Sequence, residues 1–366
     1  MSSETAAPDT LVERPIWPRR TRFVALGGGR ARLKVDLRTL VITGLLALVT
    51  VAVSVWSLGV GSVEGANLPL DRVAGAFAGT ESEAIQRIVV EGRLPRVLVA
   101  VLGGASLGLS GAIFQTLTRN PLGSPDIIGF TSGANTGALV AMLVLGLGYG
   151  GATFGALIGG LATGIAVYLL ALKDGINGTR LIVVGIGISA MLIAFNGFLL
   201  VRARVENAAT AAAWGQGIFG ELRFADVVPV ALSLVVLLPA LALLTPSMRM
   251  FELGEDSAQS RGVHTGRAQF LLLLVGVGLV AVTTAVAGPI AFIALVAPQV
   301  AMRITRSPGI PLITTAAVGA TLLVVSDALA RTMLAPVQLP VGVVTTALGG
   351  VYLLGLLIAQ SRKVAA

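Results

Sequence analysis

AQFLLLLVGVGLVAVTTAVA, residues Ala268–Ala287, decides the fold. It runs for 20 residues without a charged side chain. At about 1.5 Å per residue, a helix of that length covers the roughly 30 Å hydrocarbon core of a bilayer. A helix also pairs the backbone N–H and C=O groups that lipid cannot satisfy. The stretches Gly151–Leu172, Leu181–Val201 and Val341–Gln360 are likewise free of charge. Outward from these, ten apolar segments read as spans: Thr39–Val60, Leu94–Leu117, Asp126–Gly148, Gly151–Leu172, Arg180–Val201, Asp226–Thr245, Arg267–Ala287, Pro289–Ile304, Ile310–Ala330 and Val341–Gln360. The expected fold is all-α, a polytopic membrane protein with ten transmembrane helices in domain 39–363.

Composition agrees. Of 366 residues 55% are hydrophobic and 12% charged, with mean hydropathy +0.90. Soluble domains carry about 25% charged residues, so this chain could not cover a water-facing surface. Disorder is excluded by the hydrophobicity, and a β-barrel by apolar runs that are continuous rather than alternating. With no cysteine there is no disulfide, thiolate metal site or cysteine nucleophile. The single histidine, His264, excludes a multi-histidine metal site and reads as a solvated or capping residue. No catalytic residue and no metal ligand is expected.

The net charge of +8 has two readings, nucleic acid or membrane topology. With the N-terminus cytoplasmic and ten spans, inner segments hold 18 of the 26 basic residues. This inward excess is the positive-inside bias of a membrane protein, and nucleic acid drops out. Both termini are expected in the cytoplasm of a multi-pass cell-membrane protein. Residues 1–38 read as a flexible, basic cytoplasmic tail without a cleaved signal peptide. Gly104-x3-Gly108, Gly155-x3-Gly159 and Gly160-x3-Gly164 set glycines on one helix face, for ordinary close packing or for the lining of a pathway.

No G-x-x-x-x-G-K-[ST] loop is present, and Gly215–Gly220, which fits G-x-G-x-x-G, follows a span rather than a strand. The chain is therefore not expected to hydrolyse nucleotide. Ionisable groups suited to ion coupling are scarce: Asp126, Asp226 and Arg303 sit near span ends, and Asp327 is nearest the interior. Asp327 precedes Arg331 by four residues, the spacing of a helical ion pair. A transporter so built must take its work from another subunit.

Two loops stand out. Arg93-Leu-Pro-Arg96 opens a span on the outer side, with Pro95 suited to a first helical turn. Its arginines make an exposed cationic site for carboxylates of an external protein, or else meet lipid headgroups and neighbouring loops. The inner stretch Met248–Gly266 is polar and helix-prone over Phe251–Arg261, with an acidic start, Arg261 at its end and Gly262 beyond. Such a helix either enters a partner's cleft or lies on the bundle.

Five strings then carry a resemblance: RLPRVL (Arg93–Leu98), GAIFQTLTRNPLGSPDIIGF (Gly111–Phe130), LGEDSA (Leu253–Ala258), AGPIAFIALVAPQVAMR (Ala287–Arg303) and LPVGVVTTALGG (Leu339–Gly350). In order and spacing the chain resembles the FecCD/vitamin-B12-type permeases of ATP-binding-cassette importers from about Thr39 to Lys363. Asn120–Asp126 and Ala190–Asn196 are similar to the ferric-enterobactin type.

The resemblance implies a type II importer permease for ferric siderophore, catecholate above all. Vitamin B12 or haem import is the alternative within the family, and a proton-coupled secondary transporter outside it. It implies a second homologous permease subunit (a different chain), two cytoplasmic ABC ATPases that bind ATP and Mg²⁺, and a siderophore-binding protein. No cofactor is expected on this chain. Arg93, Arg96 and Arg331 match outer docking arginines. Glu252, Leu253, Gly254, Glu255, Asp256, Ser257, Ala258, Arg261 and Gly262, within loop 246–266, match the ATPase coupling helix. Asn177, Gly178 and Thr179 match an inner gate. Two departures are Arg261-Gly262, where the family has Leu-Gly, and Pro298-Gln299, where it often has Pro-His.

Overall fold

A computed structural model describes residues 23–26, 33–61, 67–172, 178–220 and 222–364. Strand β1 (Phe23–Leu26) pairs antiparallel with β2 (Leu33–Asp36). This ladder lies within the segment read as a flexible tail, most of which is outside the described residues. Asp36 turns the chain into helix α1 (Leu37–Gly59) by accepting the Arg38 backbone N–H at 3.2 Å.

The outer excursion carries α2 (Leu70–Ala78) and α3 (Glu83–Gln86), and α3 runs through the π-helical turn Arg87–Arg93 into α4 (Leu94–Thr118). Then follow α5 (Phe130–Leu139, continued by the π-helical Val140–Val144), α6 (Gly148–Ala171), α7 (Gly178–Arg202) and α8 (Val205–Trp214). The second half holds α9 (Phe224–Glu252), α10 (Glu255–Ser260), α11 (Thr265–Ala287), α12 (Ile293–Thr305), α13 (Leu312–Thr332) and α14 (Val341–Val364).

Among the described residues, seven helices are long and apolar enough to cross a membrane: α1, the continuous α3–α4, α6, α7, α9, α11 and α13. Three apolar helices are shorter, Phe130–Val144, Ile293–Thr305 and Val341–Leu356. All ten apolar segments of the sequence are helical, but not all at spanning length. The 13 residues of α12 cover only about 20 Å, between Phe292 and Arg306, both at positive φ. Asp126 falls in a loop, because Gly129 at φ +90° starts the helix later than the hydropathy pattern does.

Helices α4 and α11 form the centre and are largely buried, whereas the apolar lengths of α1 and α7 are mostly uncovered. Helix α4 packs on α13, α11, α12 and α9. Glycine explains how it can touch so many neighbours. A Cβ on Gly104 would strike the Gly319 carbonyl of α13, and one on Gly108 would lie 2.8 Å from the Thr315 carbonyl. Gly155 and Gly159 of α6 meet Gly137 and Gly133 of α5 in the same way. In lipid, where no hydrophobic force presses helices together, such backbone approach and interhelical hydrogen bonds supply the packing. Ser110 Oγ donates to the Gly276 carbonyl at 2.7 Å. Gln299 donates to Gln115 Oε1 at 2.7 Å, and Gln115 to the Leu295 carbonyl at 2.9 Å. The Gly215–Gly220 stretch is a turn between α8 and α9, and its Gly217 serves close approach to the Pro289 backbone.

Candidate functional site: two charged ends of the bundle

The chain's few charges gather at opposite ends of the helices. At one end, α4 opens with Pro95 in its first turn and sends Arg96 toward α13. Arg96 Nε donates to Asp327 Oδ1 at 2.8 Å. Arg331 Nε lies 3.3 Å from Asp327 Oδ2, one helical turn away. The predicted i,i+4 pair is present, and it is shared with a residue of another helix. Arg331 also donates to the carbonyls of Ser57 (3.3 Å) and Val60 (3.2 Å) and to the Ser57 hydroxyl. Arg93 Nη1 donates to the Leu58 carbonyl at 2.8 Å. Helix C-termini leave their last carbonyls without intrahelical partners. Here two arginines fill those places at the end of α1.

Of the two readings of Arg93 and Arg96, the neighbouring-segment one holds: Arg96 is turned inward and Arg93 meets the end of α1, and Arg331 is buried beside them. Side-chain exposure is 12% for Arg96, 4% for Arg331 and 2% for Asp327. A carboxylate in an apolar setting needs a cation more than solvent does, and both guanidinia are drawn inward to it. Arg93 is half-buried. The bridge from Arg96 to Asp327 crosses 231 positions and leaves no local sequence pattern. The one available signal is a lone carboxylate in an apolar run.

At the other end, the helix expected over Phe251–Arg261 is divided. Phe251 and Glu252 close α9, Leu253 and Gly254 turn, and α10 covers Glu255–Ser260. Gly254 at φ +104° and Gly262 at φ +81° take backbone conformations that side chains resist. Glu255 and Asp256 occupy the first turn of α10, and Arg261 is its C-cap. Ala258 is buried against the body, while Leu253, Asp256 and Arg261 are exposed, and Ser257 is half-buried. Glu252 Oε1 accepts the Ile310 backbone N–H at 3.2 Å, tying α9 to the α12–α13 turn. Glu255 faces Arg119 of the α4 terminus at 4.0 Å and accepts from Gln269 at 3.4 Å. His264 is exposed at the N-cap position of α11 without a side-chain cap bond.

Of the expected gate, Asn177 lies outside the described residues. Gly178 begins α7 buried against Thr118, whose carbonyl lies 2.7 Å from where a Cβ would be. Thr179 is exposed. The site residues therefore form two clusters, one at each end of α4. Between them Asp126 accepts from the Thr131 hydroxyl and is hydrogen-bonded to the Phe292 backbone, joining the α4–α5 loop to the α11–α12 turn. Among the described residues no group of three or more His, Cys, Asp or Glu side chains could hold a metal ion.

A model of the FecCD transport family matches residues 46–359. The chain is similar to the ferric enterobactin transport system permease protein of Escherichia coli (strain K12), 46% identical over 329 residues, covering 90% of this chain and 99% of that one. It is 36% identical over 336 residues to the achromobactin transport system permease protein of Dickeya dadantii (strain 3937), covering 91% and 95%. A solved inward-facing structure of a metal-chelate type ABC transporter has a similar fold, with TM-score 0.71, 27% identity, and coverage of 88% of this chain and 99% of that one.

Proposed function

This chain belongs to the FecCD transport family, and on that premise we propose that it is the membrane-spanning permease subunit of an ATP-driven ABC importer of ferric siderophore, catecholate in type. The observation that carries the reading is the 46% identity to a ferric enterobactin permease, which extends over 99% of that relative. Ten crossings with both termini cytoplasmic fit the seven long and three shorter apolar helices and the inward excess of basic residues. The partners are a second homologous permease chain, two ABC ATPases and an extracytoplasmic siderophore-binding protein. ATP and Mg²⁺ belong to the ATPases, and this chain carries neither a catalytic group nor a cofactor.

The loaded binding protein docks at the outer cluster around Arg93 and Arg96, where complementary charge sets orientation and on-rate. Arg331 sits beneath and acts through Arg96 and α1. ATP binding closes the ATPases, and the exposed face of α10 receives that movement. Glu252 and Glu255 pass it to the α12–α13 turn and to the end of α4, against which Gly178 of the inner gate is packed. A ligand or nucleotide shifts such an equilibrium only by its differential affinity for the two states.

Uptake of a radiolabelled ferric catecholate in a deletion strain tests the reading. Complementation by this chain supports it; restored haem or vitamin B12 uptake, without ferric catecholate uptake, replaces the substrate. Reversing Glu255 and Asp256 to Lys is expected to separate ATP hydrolysis from uptake, and wild-type uptake in that variant removes the coupling assignment.

A further inference from the structure

We propose that Asp327 is the positioning residue of the outer cationic cluster. The inference rests on the docking reading and adds the group that gives the cluster its geometry. One buried carboxylate holds Arg96 of α4 at 2.8 Å and Arg331 of its own helix at 3.3 Å. Two cations thus face one anion. The surplus positive charge is set against the C-terminus of α1, where Ser57, Leu58 and Val60 present carbonyls to Arg331 and Arg93. A helix C-terminus carries partial negative charge, so it complements what Asp327 leaves over.

Arg96 is fixed on more than one side. Its Nε is on Asp327, its Nη1 is 3.2 Å from Gln338 Oε1 in the α13–α14 turn, and its guanidinium lies 5.8 Å from the centre of the Phe219 ring. Only a planar, forked cation serves these partners together. What solvent meets is therefore the edge of an oriented guanidinium, with little rotamer freedom left to lose on docking. Arg331, sunk below, ties that orientation to α1.

The sign of one substitution separates positioning from plain charge. Removing the Asp327 charge makes the outer end more positive, and Coulomb attraction alone then tightens docking of an acidic partner. Positioning requires the opposite. The experiment measures docking of the siderophore-binding protein to the complete importer in nanodiscs across a range of salt. Asp327→Asn is expected to weaken docking about tenfold and to flatten its salt dependence, because fewer charges engage together. Arg96→Lys keeps the charge but cannot reach Asp327 and Gln338 at once, and is expected to weaken docking about fivefold. Asp327→Glu is expected to recover most of the loss. A variant that is merely destabilised loses active molecules but keeps the salt slope of those remaining.

Docking by Asp327→Asn or Arg96→Lys as tight as wild type, or tighter, with the slope unchanged, overturns the inference. Should Asp327→Asn fail to assemble, Arg96→Lys decides the matter. The docking reading fails separately: it falls if Arg93→Glu with Arg96→Glu leaves docking unchanged. Loss there beside wild-type docking in Arg96→Lys removes only the role of Asp327.

Discussion

Arg96, Asp327 and Arg331 at the outer end are almost wholly removed from solvent, whereas the inner pair Arg119–Glu255 keeps 54% and 25% side-chain exposure at a separation of 4.0 Å. Both ends use arginine against a carboxylate, yet the physics differs. A buried pair is costly to open, because either partner left alone is an uncompensated charge in a poor dielectric. An exposed pair is worth at most about 1 kcal/mol and exchanges readily with water and salt. The outer cluster is suited to hold one shape, and the inner cluster to let go and re-form. That difference suits the proposed function, in which a partner docks at one face and another drives the other.

The largest expected effect breaks the outer half of the comparison. Asp327→Ala alone should cost about 3–5 kcal/mol of stability, since it leaves two buried guanidinia without an anion and with neutral partners only. Thermal unfolding of the purified importer in detergent reads it. Replacing Arg96, Asp327 and Arg331 together by Met, Leu and Leu should recover much of that stability while docking stays lost, which separates holding the fold from receiving a partner. A smaller loss is expected from Gly104→Ala, where a single methyl must fit against the Gly319 carbonyl; about 1–3 kcal/mol is the usual cost of such overpacking, read in the same melt.

At the inner end the order reverses, with function moving more than stability. Glu255→Lys with Asp256→Lys should shift stability by less than about 1 kcal/mol while abolishing ATP-driven uptake in proteoliposomes. Least of all, Arg119→Ala should change stability by no more than about 0.5 kcal/mol, as for an ordinary surface substitution. A large melt shift for Arg119→Ala would erase the contrast between the two ends.

Much of this was legible in the chain itself. Charge-free runs such as Ala268–Ala287 announce membrane helices because lipid permits little else, and α11 covers that run. The glycine pairs Gly104/Gly108 and Gly155/Gly159 announce close helix contact, and both serve it. Lengths were less legible. Hydropathy sees apolar residues on either side of a turn as one run, so the loop before Gly129 and the turn at Phe292 were absorbed into spans. The acidic start of the inner helix was visible, but its true first residue depends on Gly254 adopting positive φ, which composition does not reveal. Spacing also leaves open whether the arginines face solvent or neighbouring segments. Arg93-Leu-Pro-Arg96 seen alone is a basic corner. The partner that draws Arg96 inward is a carboxylate on α13, more than 200 residues away.

The two glycines around α10 have a mechanical consequence. Its six residues hang between backbone joints at Gly254 and Gly262, and Ala258 alone among them is buried. The element is a seesaw with a methyl group as its fulcrum. Under the proposed coupling role, a push on either arm would tilt it against its ties to Arg119, Gln269 and Thr265, so the stroke would depend on where along the bar the force lands.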